Sequence, residues 1–247
     1  MDKEKITMNQ NQHLKYTIVI PLKDEEENVI DLVCEIEPVM EQLNEKWELI
    51  MVNDGSTDGT AMILDQLKEE KTYLHIITFD KNYGQTSAFD AGFKAARGEF
   101  IITLDGDRQN DPNDIPRLVS AIKHCDLVCG QRIQRRDPFS KRIISSVANW
   151  IRSRICKDGM TDTGCSLKIY KASCLRSIKL FNGMHRFLPA LFVNEGYRVS
   201  QIPVNHRERV KGKTKYNLLN RSINTVIDMW AVLWMRRRRL NYHCIDE

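Results

Sequence analysis

The chain of 247 residues has no run of 18 consecutive apolar residues, so nothing in it reads as a helix able to cross a bilayer. Its polar opening, MDKEKITMNQNQ, lacks the apolar segment of a secretory signal, and a disordered leader is expected over residues 1–15. The 7 cysteines (Cys34, Cys125, Cys129, Cys156, Cys165, Cys174, Cys244) have no paired spacing, which argues against a disulfide framework and a cysteine-based zinc site. Internal repeats and low-complexity tracts are also lacking. These absences point to a cytoplasmic protein in a reducing compartment. A hydrophobic share of 42% is enough for a substantial core, so one large domain with a C-terminal appendage is expected.

Basic residues are scarce in one half and acidic ones in the other. Residues 1–125 hold 13 Lys+Arg against 24 Asp+Glu, and residues 126–247 hold 24 against 9. The net charge of +4 hides this asymmetry. A basic half suggests an anionic partner: nucleic acid, a phosphorylated substrate or an anionic membrane surface.

Along the chain, short β-branched runs alternate with helical patterns. Strands are expected at Tyr16–Pro21, Trp47–Val52, Leu74–Phe79 and Phe100–Leu104. Between them fall helices at Asn28–Leu43, where Pro38 should kink or split the helix, around Met62, Ile63 and Leu67, and at Thr86–Ala96, whose small residues should let it pack close to the sheet. A helix at Ile115–Lys123 and a strand at Leu127–Gly130 follow. After a basic loop, a helix is expected at Phe139–Cys156, a strand at Gly164–Tyr170, a helix at Gly183–Asn194 and a strand at Tyr197–Val204. The last pattern, Leu218–Leu240, is one long helix ending in Arg236, Arg237, Arg238 and Arg239. Such alternation implies an α/β fold with a mostly parallel central sheet flanked by helices. Ligands in such sheets sit beyond the carboxyl ends of the strands. Four polar clusters therefore share one rim: Pro21–Glu25, Asn53–Thr57, Asn82–Gly84 and Asp105–Gln109.

The richest cluster is GEFIITLDGDRQNDP, Gly98–Pro112. Two carboxylates one residue apart at a strand end, Asp105 and Asp107, suit a hard cation such as Mg²⁺ or Mn²⁺, which completes its shell with water and phosphate oxygens. A surface turn built from Asp and Gly is the alternative. Gln109 adds an amide oxygen, and Asp105 is placed to reach a ribose. Asp54, in NDGST, is a candidate acceptor of hydrogen bonds from a base or ribose, or a turn residue capping the helix near Thr57–Thr60. A cation bridging two phosphates would stabilise a departing nucleoside diphosphate, which is the chemistry of sugar transfer from a nucleotide sugar.

The segments VIPLKDEEENV, VNDGSTDGT and KNYGQTSAFDAGFKAARGEFIITLDGDRQNDP closely resemble the family 2 inverting glycosyltransferases with the GT-A nucleotide-sugar fold. Within that family, CGQR (Cys129–Arg132), KRIISSVAN (Lys141–Asn149) and RERVKGKTKY (Arg207–Tyr216) resemble the polyprenyl-phosphate sugar transferases, the group of dolichyl-phosphate mannosyltransferase. The resemblance covers about Tyr16 to Asn220. It implies that Pro21, Glu25 and Asp54 line the nucleotide pocket with Asp105 nearby, and that Asp107 and Gln109 hold the metal. It further implies that Arg132, Arg142 and Ser146 grip the acceptor phosphate, while Arg209 and Lys215 close over the diphosphate or acceptor. Asp162, in TDTGCS, matches an acidic position of the family that orients the acceptor or shapes the sugar pocket; a turn residue is the alternative. His185 and Arg186 are candidates for sugar or acceptor contact or for helix capping. Two positions depart from the family pattern: Asn53 replaces the first Asp of Asp-Asp-Gly-Ser, and Thr214 replaces a Ser.

The expected organisation is a leader over 1–15, a GT-A catalytic domain over 16–216 and an amphipathic helix with a basic tail over 217–247. In that helix Trp230 and Trp234 share a face and Asp228 interrupts the apolar run, a pattern suited to lying on anionic lipid rather than spanning it; a core or dimer helix is the alternative. The expected function is metal-dependent, inverting transfer of a hexose from a GDP- or UDP-sugar to a polyprenyl phosphate, peripheral on the cytoplasmic face of the membrane. A membrane-embedded partner protein is a further hypothesis. The rivals are a family 2 transferase acting on a saccharide hydroxyl and a basic nucleic-acid-binding protein. Against the latter, the basic loops lack the interleaved aromatics of single-strand binders.

Overall fold

Central strands of a covered parallel sheet must be apolar on both faces, and the first strand of this chain is. Along β1 (Tyr16–Leu22), Ile18, Ile20 and Leu22 enter one apolar cluster while Val19 enters another on the opposite face. The computed structural model of the chain describes residues 14–133, 154, 156, 158–208 and 218–240, with side chains of the last segment from 225 onward. The expected leader up to 13 and most of the helix expected at Phe139–Cys156 lie outside the described residues.

Among the described residues the order is β1, α1 (Val29–Glu41), β2 (Trp47–Asn53), α2 (Thr60–Glu70), β3 (Leu74–Thr78), α3 (Gln85–Ala95), β4 (Phe100–Thr103), α4 (Ile115–Ala121), β5 (Leu127–Arg132), β6 (Lys168–Lys171), α5 (Ala172–Arg176), α6 (Leu188–Asn194), β7 (Val199–Val204) and α7 (Leu218–Arg237). The sheet has 7 strands in the order β3-β2-β1-β4-β6-β5-β7. Every neighbouring pair is parallel except those made by β6, which runs antiparallel to β4 and to β5. The carboxyl ends of six strands thus open on one rim, and the segment entering β6 arrives at the same rim.

Helices cover both faces. α1, Leu64 of α2 and Ile115 and Leu118 of α4 bury Ile18, Ile20, Met51 and Ile169 on one side. Phe89 and Phe93 of α3, with Leu175 of α5 and Phe192 of α6, bury Val19, Val52, Ile101 and Tyr170 on the other. The close approach expected of α3 is real. A Cβ built on Gly92 would lie 2.3 Å from Val19 Cγ1, so any larger residue would have to shift the helix or the strand. At the opposite end of the sheet from the rim, the buried Glu48 carboxylate takes both Nε and Nη2 of Arg97, at 2.9 and 2.6 Å, and the Thr17 hydroxyl.

Several boundaries differ from expectation for local reasons. Pro38 does not split α1, which runs unbroken to Glu41 with Ile36, Val39 and Met40 buried around it. Met62 faces solvent on α2, 62% exposed, while Ile63 and Leu67 pack on the core as expected, together with the fully buried Leu64. The strand expected from Gly164 begins only at Lys168, because residues 162–166 turn towards the rim. The single helix expected at Gly183–Asn194 is a 3-10 turn, Met184–Phe187, followed by α6, which begins at Leu188 with Pro189 in its first turn. α5 had no expected counterpart. The terminal helix ends at Arg237 rather than Leu240; Met229 and Val232 pack on Met184, Phe187 and Leu191, while Val226, Ile227, Trp230 and Trp234 stay exposed. Among the described residues no helix is long and apolar enough to cross a membrane.

Candidate active site

After Thr103 the chain leaves the sheet and turns back on itself through Asp105, Gly106 and Asp107. Asn110 closes the turn: its side-chain oxygen accepts the Asp105 backbone N–H at 3.1 Å and the Ser166 hydroxyl at 2.7 Å. Asp105 is fixed from α3, where Gln85 Nε2 donates to its Oδ1 at 2.8 Å. Burial and the neighbouring Asp107 push the Asp105 carboxyl above the ordinary range, partly offset by a Ser166 hydrogen bond and the charges of Lys168 and Arg132. Asp107 accepts the Gln109 N–H at 3.2 Å, and Arg108 between them adopts a left-handed φ of 60°. Among the described residues no three His, Cys, Asp or Glu side chains converge on one point. The set is instead two like-charged carboxylates with a nearby amide. That set fits a cation which keeps most of its shell for water and diphosphate oxygens, and whose charge would relieve the repulsion.

The next rim cluster is stitched by its own side chains. Asn53 accepts the Ser56 N–H at 2.9 Å, closing a turn that asparagine serves as well as aspartate. Asp54 is 4% exposed, and its two oxygens accept the Tyr83 and Gly84 N–H groups at 2.7 and 2.9 Å. It therefore ties the loop after β2 to the loop after β3. Capping near Thr60 falls to Asp58, which accepts the Thr60 N–H at 3.0 Å, and not to Asp54. Pro21 sits near the end of β1, and Glu25 follows it, with its N–H on the Thr60 hydroxyl at 2.9 Å and its Oε2 accepting from Asn28 at 2.7 Å.

Arg132 ends β5 on the same rim. Its Nε and Nη2 donate to Oδ2 and Oδ1 of Asp162 at 2.7 and 2.8 Å, and Asp162 also accepts the Gly164 N–H at 3.1 Å. The carboxylate expected to orient an acceptor or shape a sugar pocket thus has both side-chain oxygens on the Arg132 guanidinium. Arg142, Ser146, Arg209 and Lys215 lie outside the described residues. His185 does not cap a helix; its Nδ1 lies 2.6 Å from the Thr86 hydroxyl, which also accepts the Gly183 N–H at 3.0 Å.

Sequence reasoning did not single out Gln85, Asn110, Ser166 or Lys168. Lys168 was the most findable. A lysine inside the apolar run SLKIY, 5% exposed in the fold, is an exception to the burial rule that calls for an anionic partner nearby. A groove of about 380 Å³ lined by Phe79, Tyr83, Thr86, Asp90 and Phe181 includes none of the rim carboxylates Asp54, Asp105, Asp107 and Asp162.

The chain is similar to known proteins. The sequence model of Glycosyl transferase family 2 matches residues 17–178, more than half of the chain. Dodecaprenyl-phosphate galacturonate synthase of Rhizobium johnstonii is 39% identical over 232 residues, covering 92% of this chain and 68% of that protein. Undecaprenyl-phosphate 4-deoxy-4-formamido-L-arabinose transferase of Salmonella choleraesuis is 33% identical over 228 residues, covering 92% and 69%. Among solved structures, glucosyl-3-phosphoglycerate synthase from Mycobacterium tuberculosis, crystallised with Mn²⁺, UDP and glucosyl-3-phosphoglycerate, superposes with a TM-score of 0.68 at 16% identity, covering 92% of this chain and 81% of that one. Mannosyl-3-phosphoglycerate synthase from Rubrobacter xylanophilus gives 0.71 at 14% identity, covering 94% and 78%. At these identities the structural matches speak for the GT-A fold alone.

Proposed function

The chain belongs to glycosyl transferase family 2, and from that premise we propose that it moves a hexose from a nucleotide sugar to a polyprenyl phosphate, inverting the anomeric carbon. The observation that carries this reading is the shared rim: the carboxylate pair Asp105 and Asp107 lies on one side and the Asp162-held Arg132 on the other. The relatives named for dodecaprenyl and undecaprenyl phosphates supply the acceptor class.

Asp107, Asp105 and Gln109 would hold Mg²⁺ or Mn²⁺, which when bound neutralises charge building on the departing nucleoside diphosphate. Pro21, Glu25 and Asp54 shape the pocket for base and ribose, with Asp54 acting partly by holding the Tyr83–Gly84 backbone. On the acceptor side no strong general base is required. A phosphate monoester has a second pKa near 6 and is largely dianionic at neutral pH, so positioning by arginine matters more than deprotonation. Both oxygens of Asp162 are engaged by Arg132, which fits this division of labour. Arg142, Ser146, Arg209 and Lys215 join the reading through the family resemblance.

We place the enzyme peripherally on the cytoplasmic membrane face. Exposed Ile227, Trp230 and Trp234, beside Arg236 to Arg239, suit an anionic lipid surface. Binding only in the presence of a membrane-embedded protein would move that face to a protein partner. The deciding experiment is transfer from a panel of GDP- and UDP-sugars, with and without a short polyprenyl phosphate, in Mn²⁺ and in EDTA. Lipid-linked product in Mn²⁺ alone is expected. Equal transfer to a saccharide without the lipid phosphate would overturn the acceptor assignment.

A further inference from the structure

Asp31 and Glu35 stand one turn apart on α1, an arrangement of like charges that disfavours a helix unless cations answer it. Two arginines do: Arg108 within the carboxylate loop, and Arg207, which follows β7 and packs along that loop. Arg108, the residue after Asp107, donates Nε to Glu35 Oε1 at 3.0 Å and Nη1 to Asp31. Arg207 takes the other oxygen of Glu35 and donates Nη2 to Asp111 at 2.7 Å. The backbone around Arg207 lies antiparallel along the loop: its N–H donates to the Gln109 carbonyl at 2.9 Å, and His206 bridges Asn110. Arg108 itself is non-glycine at φ 60°, a conformation that persists only where surrounding contacts hold it.

From this we propose that Glu35 is a positioning residue for the cation site. One carboxylate, 23% exposed at its side chain, clamps an arginine on each flank of the stretch 107–111 and so fixes where Asp107 and Gln109 point. The proposal rests on the cation role given to Asp107 above. Glu35 contacts neither sugar nor phosphate; it acts through Arg108 and Arg207.

The test titrates Mn²⁺ into the full chain in the presence of UDP and, separately, GDP, with free ion followed by its EPR signal. Glu35→Ala is expected to weaken Mn²⁺ binding about tenfold, the usual effect of removing a group that orients a ligand. Arg108→Asn keeps a residue tolerant of positive φ but removes the clamp, and should give the same loss. The double variant should lose no more than either single one, and Glu35→Asp should recover part of the affinity. Arg97→Ala serves as a control, destabilising the sheet without moving Mn²⁺ affinity. Wild-type affinity in folded Glu35→Ala or Arg108→Asn, alongside loss in Asp107→Ala, would overturn the positioning role and leave the cation site standing. A wild-type chain that binds no Mn²⁺ with either nucleotide, or an Asp107→Ala variant that binds it fully, would overturn both.

Discussion

Arg132 and Asp162 form a two-bond fork, Nε to Oδ2 and Nη2 to Oδ1, with side chains only 13% and 10% exposed. A guanidinium desolvated to that extent is stable only while its carboxylate is present. Asp162→Ala should therefore lower unfolding free energy by about 3 kcal/mol or more, since one ion of a buried pair is left uncompensated. Urea denaturation measures this. The paired variant Arg132→Met/Asp162→Leu should be less destabilised than Asp162→Ala, and the reverse order would show that the fork is not what the site depends on.

For transfer itself, Asp162→Asn should raise the KM for polyprenyl phosphate more than it lowers kcat. The amide keeps the shape and one acceptor but no longer anchors the charge of Arg132. A change confined to the nucleotide-sugar KM would assign Asp162 to the donor side instead.

Asp105 gives a pH-dependent prediction whose sign is fixed by its environment. Burial and Asp107 raise its folded pKa, so the ionised form is a burden in the metal-free protein. The stability from its protonated form is complete below the unfolded carboxylate pKa of about 3.9 and is lost as pH rises through the raised folded value. Asp105→Asn, which keeps an acceptor for Gln85, should thus raise the Tm of the metal-free protein at neutral pH. The gain should shrink towards acid, and it should come with lost Mn²⁺ binding. A destabilised Asp105→Asn protein at neutral pH would contradict this.

Gly92→Ala sets helix propensity against packing. Alanine gains about 1 kcal/mol in a helix interior, but a Cβ 2.3 Å from Val19 Cγ1 forces α3 off the sheet, at about 1–3 kcal/mol. A net loss of stability in thermal unfolding is expected.

Trp230 and Trp234 are 60% and 63% exposed, so changing them leaves the core intact. Trp230→Ala/Trp234→Ala should keep the wild-type Tm and bind anionic vesicles at least about tenfold more weakly, the apolar insertion of two indoles being lost. Unchanged vesicle binding would remove this face from the membrane contact.

Much of the amino-terminal half was legible because its signals are local. Runs such as TIVI and LIMV read as strands on periodicity and β-branching alone, and the rim clusters follow from where those runs stop. What escaped was relational. The direction of β6 is not written in KIYK, since a strand has the same alternation whichever way it runs. The fork of Arg132 on Asp162 and the clamp of Glu35 on Arg108 and Arg207 join residues 30, 73 and 172 positions apart, and charge types alone do not say which partners meet. Met62 misled for the opposite reason: its spacing groups it with Ile63 and Leu67, yet those two pack on the core beside Leu64 while Met62 points to solvent.

The reversed strand β6, paired only with strands distant in sequence, is expected to join the sheet late. It pairs Phe100 with Lys171 and Leu127 with Tyr170, closing long loops of chain before either contact is rewarded. Until it inserts between β4 and β5, Ser166 cannot steady Asn110 and Asp162 cannot meet Arg132. A refolding chain should therefore regain most of its helical signal before it regains the ability to transfer sugar, and that lag should lengthen when β6 is weakened and not when α7 is.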